Sequence, residues 1–291
     1  MPSTRDIRRR IKSVKSTAQI TKAMQMVAAS KMRKAQQAAL SGRPYATLMN
    51  NVLAQVTAYA GDFSHPLMEV RTGKKRALIV ISSDKGLAGA LNSNLLREAA
   101  KSEKDTVFIT AGRKASQFAA RTKRNLAAEF TYKDVPQFAE ARAISKFAQE
   151  LFLKGDVDQV DILFTDFIST LSQRPEIRSF LPVGKVTSVS AGIGGQHTSE
   201  ALSTGATEFQ FEPDAGSVFS SLLPHYLNFR VFQILLEAKA SEHSARMVAM
   251  KNATDNAKQL IKDLTLEYNK LRQANITKEL LEITSAAMAM S

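Results

Sequence analysis

Polar and apolar positions along this chain fall into three regimes, two at the ends that match and one in the middle that differs. Near the N-terminus, Ile7, Ile11, Val14, Ala18, Thr21, Gln25, Ala28, Met32 and Ala35 alternate at spacings of four and three. That is the period of a coiled-coil seam, a narrow stripe that a helix turns toward a partner. Ser3 and Thr4 offer a cap after Pro2, and Asp6 lies in the first turn, where the helix dipole favours negative charge. No Gly or Pro occurs from Ser3 to Ser41. Gly42 and Pro44 mark a kink or short break, and the helical pattern resumes through Leu48, Val52, Val56 and Tyr59. From His225 to Ser291 there are 67 residues without Gly or Pro. One helix of that length would run on the order of 100 Å. Its own seam is Met247, Met250, Thr254, Ala257, Ile261, Leu264, Tyr268 and Leu271. Each seam needs a partner, and the economical partner is the other one: an antiparallel pair of terminal helices hairpinned around everything between.

The middle has the period of buried strands. Arg76–Ser82 is an apolar run closed by Ser83, Asp84 and Gly86; a helical stretch follows to about Lys101, then strand-like Thr106–Ala111 and a helix from about Arg113. A helix over Ala139–Lys154 precedes the apolar strand Gln159–Phe167, and Glu176–Val183 is a fourth strand candidate. Strands alternating with helices predict a Rossmann-like, mostly parallel α/β domain. Gly184–Gly205, rich in Ser, Thr and Gly, reads as a loop or mobile segment, and Phe209 with Phe211 suggests one more short strand. The expected organisation is thus an N-terminal shaft helix over 1–60, a central α/β domain over 70–212 and a C-terminal shaft helix over 213–291 that pairs with the first.

Charge alters this picture only at one end. There are 40 Lys and Arg against 27 Asp and Glu, a net of +13, and residues 1–34 alone hold ten basic groups and one acid. The basic arm invites a nucleic-acid reading through phosphate neutralisation. Against it, no Phe, Tyr or Trp precedes Tyr45 to stack on bases. The charges also decorate a seamed helix, for which a solvated face is the default and an acidic protein surface the sharper alternative.

Candidate chemistry is sparse. The chain has no cysteine, and its four histidines (His65, His197, His225, His243) stand far apart, which removes thiol chemistry and the usual zinc spacings. The loop Ser82–Asn92 follows a strand and opens a helix, where phosphates often bind, but it is neither GxGxxG nor a P-loop; a structural turn is the favoured reading over a nucleotide site. Asp156, Asp158 and Asp161 read as groups that cap and flank a strand. No acid–base pair stands out, so neither a catalytic residue nor a cofactor or metal site is expected. No apolar run reaches the roughly 18–20 residues that span a bilayer. The start lacks the apolar core of a signal peptide, so an intracellular chain, soluble or peripheral to a membrane, is expected.

Both ends carry one further oddity. Ile20, Ala23, Met24, Met26, Val27, Ala28 and Ala29 make the first helix apolar nearly all round, and Ile283–Met290 has the same smooth, small, adaptable character. A helix apolar on every side must be enclosed, and one partner helix encloses only one side. A close-fitting sleeve would do it.

At these residues the sequence resembles the gamma subunits of F-type ATP synthases, of bacterial type. Arg9–Thr17 leading into Ile20–Met32 resembles that family's N-terminal signature, and Glu242–Ala257 with Tyr268–Leu280 its C-terminal one. The resemblance implies a central rotor shaft, non-catalytic by itself, that transmits torque between a membrane c ring and a head of three alpha and three beta subunits. The partners so implied are alpha, beta, epsilon and the c ring, with no nucleic acid, on the cytoplasmic face of the bacterial inner membrane. Residue by residue, Arg272 and Gln273 match the pair that contacts a catch loop of beta; Lys22, Met24 and Met26 match the region near its acidic levers. Ile283, Ala287, Met288 and Met290 match the tip within the bearing, and Phe209, Phe211 and Glu212 a foot near the c ring. Asp84–Asn92 resembles the family's SDRGLCGGFN loop, from which Lys85, Ala88, Ala90 and Leu91 depart. Two other classes make distinct predictions: a basic coiled-coil protein would bind nucleic acid in a salt-sensitive way, and a nucleotide-dependent enzyme would bind ATP or NAD through residues 70–185.

Overall fold

A computed structural model describes residues 3–59, 65–71, 73–184, 212 and 214–290. Helix α1 spans Thr4–Tyr59 and helix α5 Ala215–Met290; between them lie β1 (Arg76–Ile81), α2 (Leu91–Ala100), β2 (Val107–Ala111), α3 (Arg113–Arg121), β3 (Asn125–Phe130), α4 (Phe138–Lys154), β4 (Gln159–Phe167) and β5 (Gln173–Leu181). The chain divides into two compact units, one made of residues 1–27 with 247–291 and the other of residues 28–246.

The first unit is an antiparallel helix pair. Arg8 donates to the hydroxyl of Tyr268, and Thr21 and Thr254 share a buried hydrogen bond of 2.7 Å, so rising numbers on one helix meet falling numbers on the other. This register sets Ile11 level with Leu264, Val14 with Ile261 and Ala18 with Ala257. The seam positions are the buried or half-buried ones on both helices: Ile7, Ile11, Val14, Ala18, Thr21 and Gln25 on one, Met247, Met250, Thr254, Ala257, Ile261, Leu264, Tyr268 and Leu271 on the other. The heptad stripe is therefore a true packing seam. Outside it in this unit, Thr4, Asp6, Met24 and a few residues flanking Met250 are also half-buried, and the other described side chains are exposed.

The second unit is a five-stranded sheet in the order β3-β2-β1-β4-β5. Strands β1 to β4 run parallel and β5 returns antiparallel along β4. Alternation along each strand sends Ala77, Ile79 and Ile81 into a large core with α4, α1 and α5, and sends Leu78 and Val80 into a smaller one with α2 and α3. The α1 stripe continues here through Ala39, Ala46, Met49, Leu53 and Val56, all buried. Tyr45 bonds His225 at 2.7 Å and packs edge-on against Phe229, keeping α1 and α5 antiparallel in this unit also.

Two expectations needed adjustment. Of the kink or short break expected at Gly42–Pro44, the break is absent: α1 runs on through Pro44, which lies on its exposed side. Strand β3 was not legible beforehand: Asn-Leu-Ala-Ala-Glu-Phe, half-exposed in alternation, is an edge strand held by backbone pairing with β2. The expected strand at Phe209–Phe211 and the loop from 185 to 205 lie outside the described residues.

Candidate functional site

Because α1 begins at Thr4, level with the neighbourhood of Leu271, residues 272–290 of α5 extend past their partner. At ~1.5 Å per residue the extension is about 28 Å long. Arg272, Gln273, Ile283, Ala287 and Met288 are exposed on it, with Ile283 at 65% and Met288 at 81%. Ile276, Leu280 and Leu281 add to the same uncovered apolar surface. On α1, Lys22 is exposed, Met26 is 60% exposed beside Ile20 and Val27, and Met24 is half-buried. A soluble chain does not leave so many large apolar groups in water along one helix unless something covers them. Glu212 is exposed; Phe209 and Phe211 lie outside the described residues, as does the side chain of Met290.

The loop after β1 is occupied by the chain's own groups. The N-terminus of α3, where an anion would settle, has its N–H groups taken: Arg113 N–H donates to Asp84 at 3.0 Å and Ala115 N–H to the Ser82 hydroxyl at 2.8 Å. Ser83 and Asn92 hydrogen-bond each other across the loop, and Tyr132 donates to the Ser82 carbonyl. Gly112 has φ +100°, and a Cβ there would lie 2.1 Å from the Ser82 carbonyl oxygen, so only glycine lets the two strand ends approach. These bonds make the loop a joint between β1, β2 and α3, in keeping with the structural-turn reading.

The feature that sequence reasoning missed is a set of buried charges on α5. Lys239 is 2% exposed, with its ammonium 2.9 Å from Glu242, 3.9 Å from Asp134 and 4.5 Å above the Tyr132 ring. Arg246 donates to Glu242 at 2.8 Å and to the carbonyls of Lys85 and Gly86 at 3.3 Å each. Asp134 also receives Lys31 of α1 at 2.5 Å. Burial alone would raise the Glu242 carboxyl; Lys239 and Arg246 outweigh it and hold the group below its ordinary range. The hydrogen bond from Lys31 likewise holds Asp134 low. His243, buried on the same helix, is pushed down to about 4 by loss of water, so it is neutral at pH 7. Arg246 can only donate, so His243 Nδ1 accepts from it and Nε2 carries the proton.

A second cluster lies on the β4–β5 hairpin. Arg178 reaches Glu176 at 2.9 Å, Glu237 at 3.3 Å and Asp166 at 3.6 Å, and stacks over Phe164. One guanidinium cannot neutralise three carboxylates. Glu237, the most deeply buried, is pushed up to about 7 by desolvation, against the opposing pull of Arg178. The first cluster left a signal in the spacing, since the i, i+3 and i, i+4 charges Lys239, Glu242 and Arg246 lie on one helix face; the second, drawn from two strands and a distant helix, left none. The same spacing also describes ordinary solvated pairs, so it did not declare burial.

Comparison with known proteins gives a consistent answer. The profile of the family described as ATP synthase matches residues 3–290. The ATP synthase gamma chain of Opitutus terrae is 50% identical, over 99% of both chains, and that of Methylacidiphilum infernorum 46% identical over all of both. Among solved structures, a chain of the Euglena gracilis mitochondrial ATP synthase (OSCP/F1/c-ring) aligns with TM-score 0.67 at 21% identity, covering 99% of this chain and 94% of that one. A chain of the Tetrahymena thermophila mitochondrial ATP synthase central stalk and c ring gives 0.60 at 24% identity, covering 80% and 99%. At those identities the structures speak for the fold, while the sequence relatives carry the family.

Proposed function

The chain belongs to the family of ATP synthase gamma chains, and from that premise we propose that it is the central rotor shaft of an F-type ATP synthase, non-catalytic itself, carrying torque between a membrane c ring and a catalytic head. Residues 1–60 and 213–291 supply the shaft and residues 70–212 the body. The observation that carries the reading is the bare extension of α5. A single helix that outruns its partner and exposes Leu280, Leu281, Ile283 and Met288 is built to be enclosed by other chains.

In this reading Ile283, Ala287, Met288 and Met290 turn inside an apolar bearing formed by three alpha and three beta subunits. Arg272 and Gln273, exposed in the isolated chain, hydrogen-bond a catch loop of one beta subunit. Lys22, Met24 and Met26 pass the acidic levers of beta, where a basic helix is attracted at several positions and is trapped at none. Phe209, Phe211 and Glu212 belong to the foot at the c ring, near epsilon. Among the described residues no helix is long and apolar enough to cross a membrane; the subunit is peripheral, held at the cytoplasmic face of the bacterial inner membrane by the c ring.

The test is assembly. Mixed with alpha and beta subunits and sized with mass detection, the chain forms a complex of three alpha, three beta and one copy of itself; elution alone, where authentic subunits assemble, refutes the shaft. Within that complex, Arg272→Ala lowers coupled turnover while leaving the chain's unfolding unchanged, because the side chain has no partner to lose in the isolated protein. Undiminished turnover removes Arg272 from the docking role.

A further inference from the structure

A shaft that carries torque must not roll inside its own mounting, and an apolar core is poorly suited to prevent rolling because its attraction has no direction. From Ile234 to Ser244, every residue of α5 is buried, so the helix is enclosed on all sides within the second unit. Directional bonds grip it there from two opposite sides. On one side, Arg230, Glu237 and Ser244, spaced by sevens, meet the β4–β5 hairpin. Arg230 donates to the Ser179 carbonyl at 3.1 Å, Arg178 donates to Glu237 at 3.3 Å, and Ser244 donates to the Thr170 carbonyl at 2.7 Å. On the other side, Arg246 donates to the carbonyls of the loop after β1 and Lys239 pairs with Asp134 at 3.9 Å, while Glu242 bridges the two cations along the helix. At 3.6 residues per turn, Glu242 lies about 140° and Arg246 about 180° around the helix from Glu237.

We infer that this segment is a keyed joint: Arg178 on one side and the Asp134–Lys239–Glu242–Arg246 chain on the other fix the rotational phase of α5 in the α/β body and carry torsional load. They are positioning residues. Either key alone stops the helix rolling, because a helix bonded on one side must still break those bonds to turn. Slip requires the loss of both. Hydrogen bonds weaken steeply with misalignment, so a few tens of degrees of roll would break either set. The inference rests on the shaft reading, since only a torque-bearing part needs such a joint. The grip lies wholly within the second unit, and α5 continues from it as one helix.

The experiment uses the complete ATP synthase reconstituted with the wild-type chain, a variant lacking the first key (Arg178→Met, Arg230→Met and Ser244→Ala), a variant lacking the second (Asp134→Asn and Arg246→Met) and the combined variant. Two quantities are read: torsional stiffness, from the angular fluctuations of a probe on the shaft with the head held fixed, and the ratio of ion-driven ATP synthesis to ATP hydrolysis. Variants lacking one key are expected within about 1.5-fold of wild type, and the combined variant about three-fold or more softer with a matching fall in coupling, a synergy that independent losses of stability do not produce. Wild-type stiffness in the combined variant, or a loss equal to that expected from the one-key losses acting independently, overturns the joint. If the combined variant does not assemble, Arg178→Lys, Arg230→Lys and Arg246→Lys together with Ser244→Ala, which keeps every charge but removes the guanidinium forks, replaces it. Reduced stiffness supports the joint and unchanged stiffness overturns it. A wild-type chain that fails to restore coupled synthesis overturns the shaft reading and this inference with it, whereas a competent wild type with an unaffected combined variant overturns the joint alone.

Discussion

Two stretches of the same helix reverse the usual placement of side chains. Between Ile234 and Arg246, α5 buries Glu237, Lys239, Glu242 and His243. Between Arg272 and Met288 it exposes Ile276, Leu280, Leu281, Ile283 and Met288. The difference lies in where each stretch finds its partners. Those of the buried stretch are in this chain: Asp134, Arg178 and a loop whose carbonyls await a donor. Buried ion pairs add little net stability, because desolvation offsets their attraction, but they are exacting about geometry. The exposed stretch is the opposite case, with apolar area left free at about 25 cal/mol per Å² for whatever encloses it. Charges inside fix an orientation, and a smooth apolar surface outside permits turning. The first suits the proposed mounting and the second the proposed bearing.

The comparison breaks most visibly if a buried charge loses its partner. Glu242→Ala leaves Lys239 and Arg246 facing each other with no anion between them, and is expected to cost about 3–5 kcal/mol in urea unfolding. Next in size is a pH effect at Glu237. Its folded value is about 7 against an ordinary 4.5. The stability it contributes is therefore fully present below about 4.5 and is lost as pH rises through 7, a swing of about 3 kcal/mol at ~1.4 kcal/mol per unit. The groups facing it are Arg178, Glu176 and Asp166. His243 runs the other way: with a folded value of about 4 against 6.5, its contribution is lost as pH falls from about 6.5 through 4. Comparing wild type with Glu237→Gln at each pH cancels the histidine. The difference is expected to be near zero at pH 4 and to favour the variant at pH 8; a flat difference shows that Glu237 does not titrate in the fold.

How far the sequence disclosed this depends on how local the signal is. The helix seams were legible to the residue, because a strict heptad is a local repeat and burial followed it from Ile7 to Leu271. β1, β2 and β4 were legible as apolar runs. β3 was not, since two alanines and alternate exposure give an edge strand no composition of its own. At the site, the exposed tip and the basic face of α1 were readable because an apolar stripe that goes all round has no partner within one hairpin. The buried clusters were not. Arg178, Asp134 and Lys239 come from distant parts of the chain, and Glu242 beside Lys239 and Arg246 looks identical to a solvated pair until the sheet is placed around it.

A smaller effect sharpens the contrast inside the first unit. The Thr21–Thr254 bond is the buried polar point in a seam whose other buried positions, Ile7, Met250, Ala257 and Leu264, are apolar. Each hydroxyl has one proton and also lies within reach of a carbonyl of its own helix, Ala18 for Thr21 and Met250 for Thr254. One therefore donates across the seam while the other donates at home. Thr254→Val removes the cross-bond but leaves Thr21 its own carbonyl, so the cost should be about 1 kcal/mol, well below that of Glu242→Ala. A loss near 3 kcal/mol would mean that this pair orders the helices in the way the ion clusters order α5.

The smallest stability effect belongs at the tip, and it is the most telling. Ile283 is 65% exposed and in the isolated chain contributes no core, so Ile283→Ser should shift unfolding by no more than about 0.5 kcal/mol. On the proposed reading the same side chain is enclosed in the assembled head, and burying an isoleucine is worth about 1.5–3 kcal/mol. That corresponds to roughly ten-fold or more in affinity for the alpha and beta subunits. Urea titration of the isolated chain and competition of wild type against variant for a limiting amount of alpha and beta measure the two quantities separately. A variant that unfolds like wild type but is displaced from the complex places Ile283 in a bearing. One that competes equally well shows that the apolar tip is not enclosed where the comparison of the two stretches says it must be.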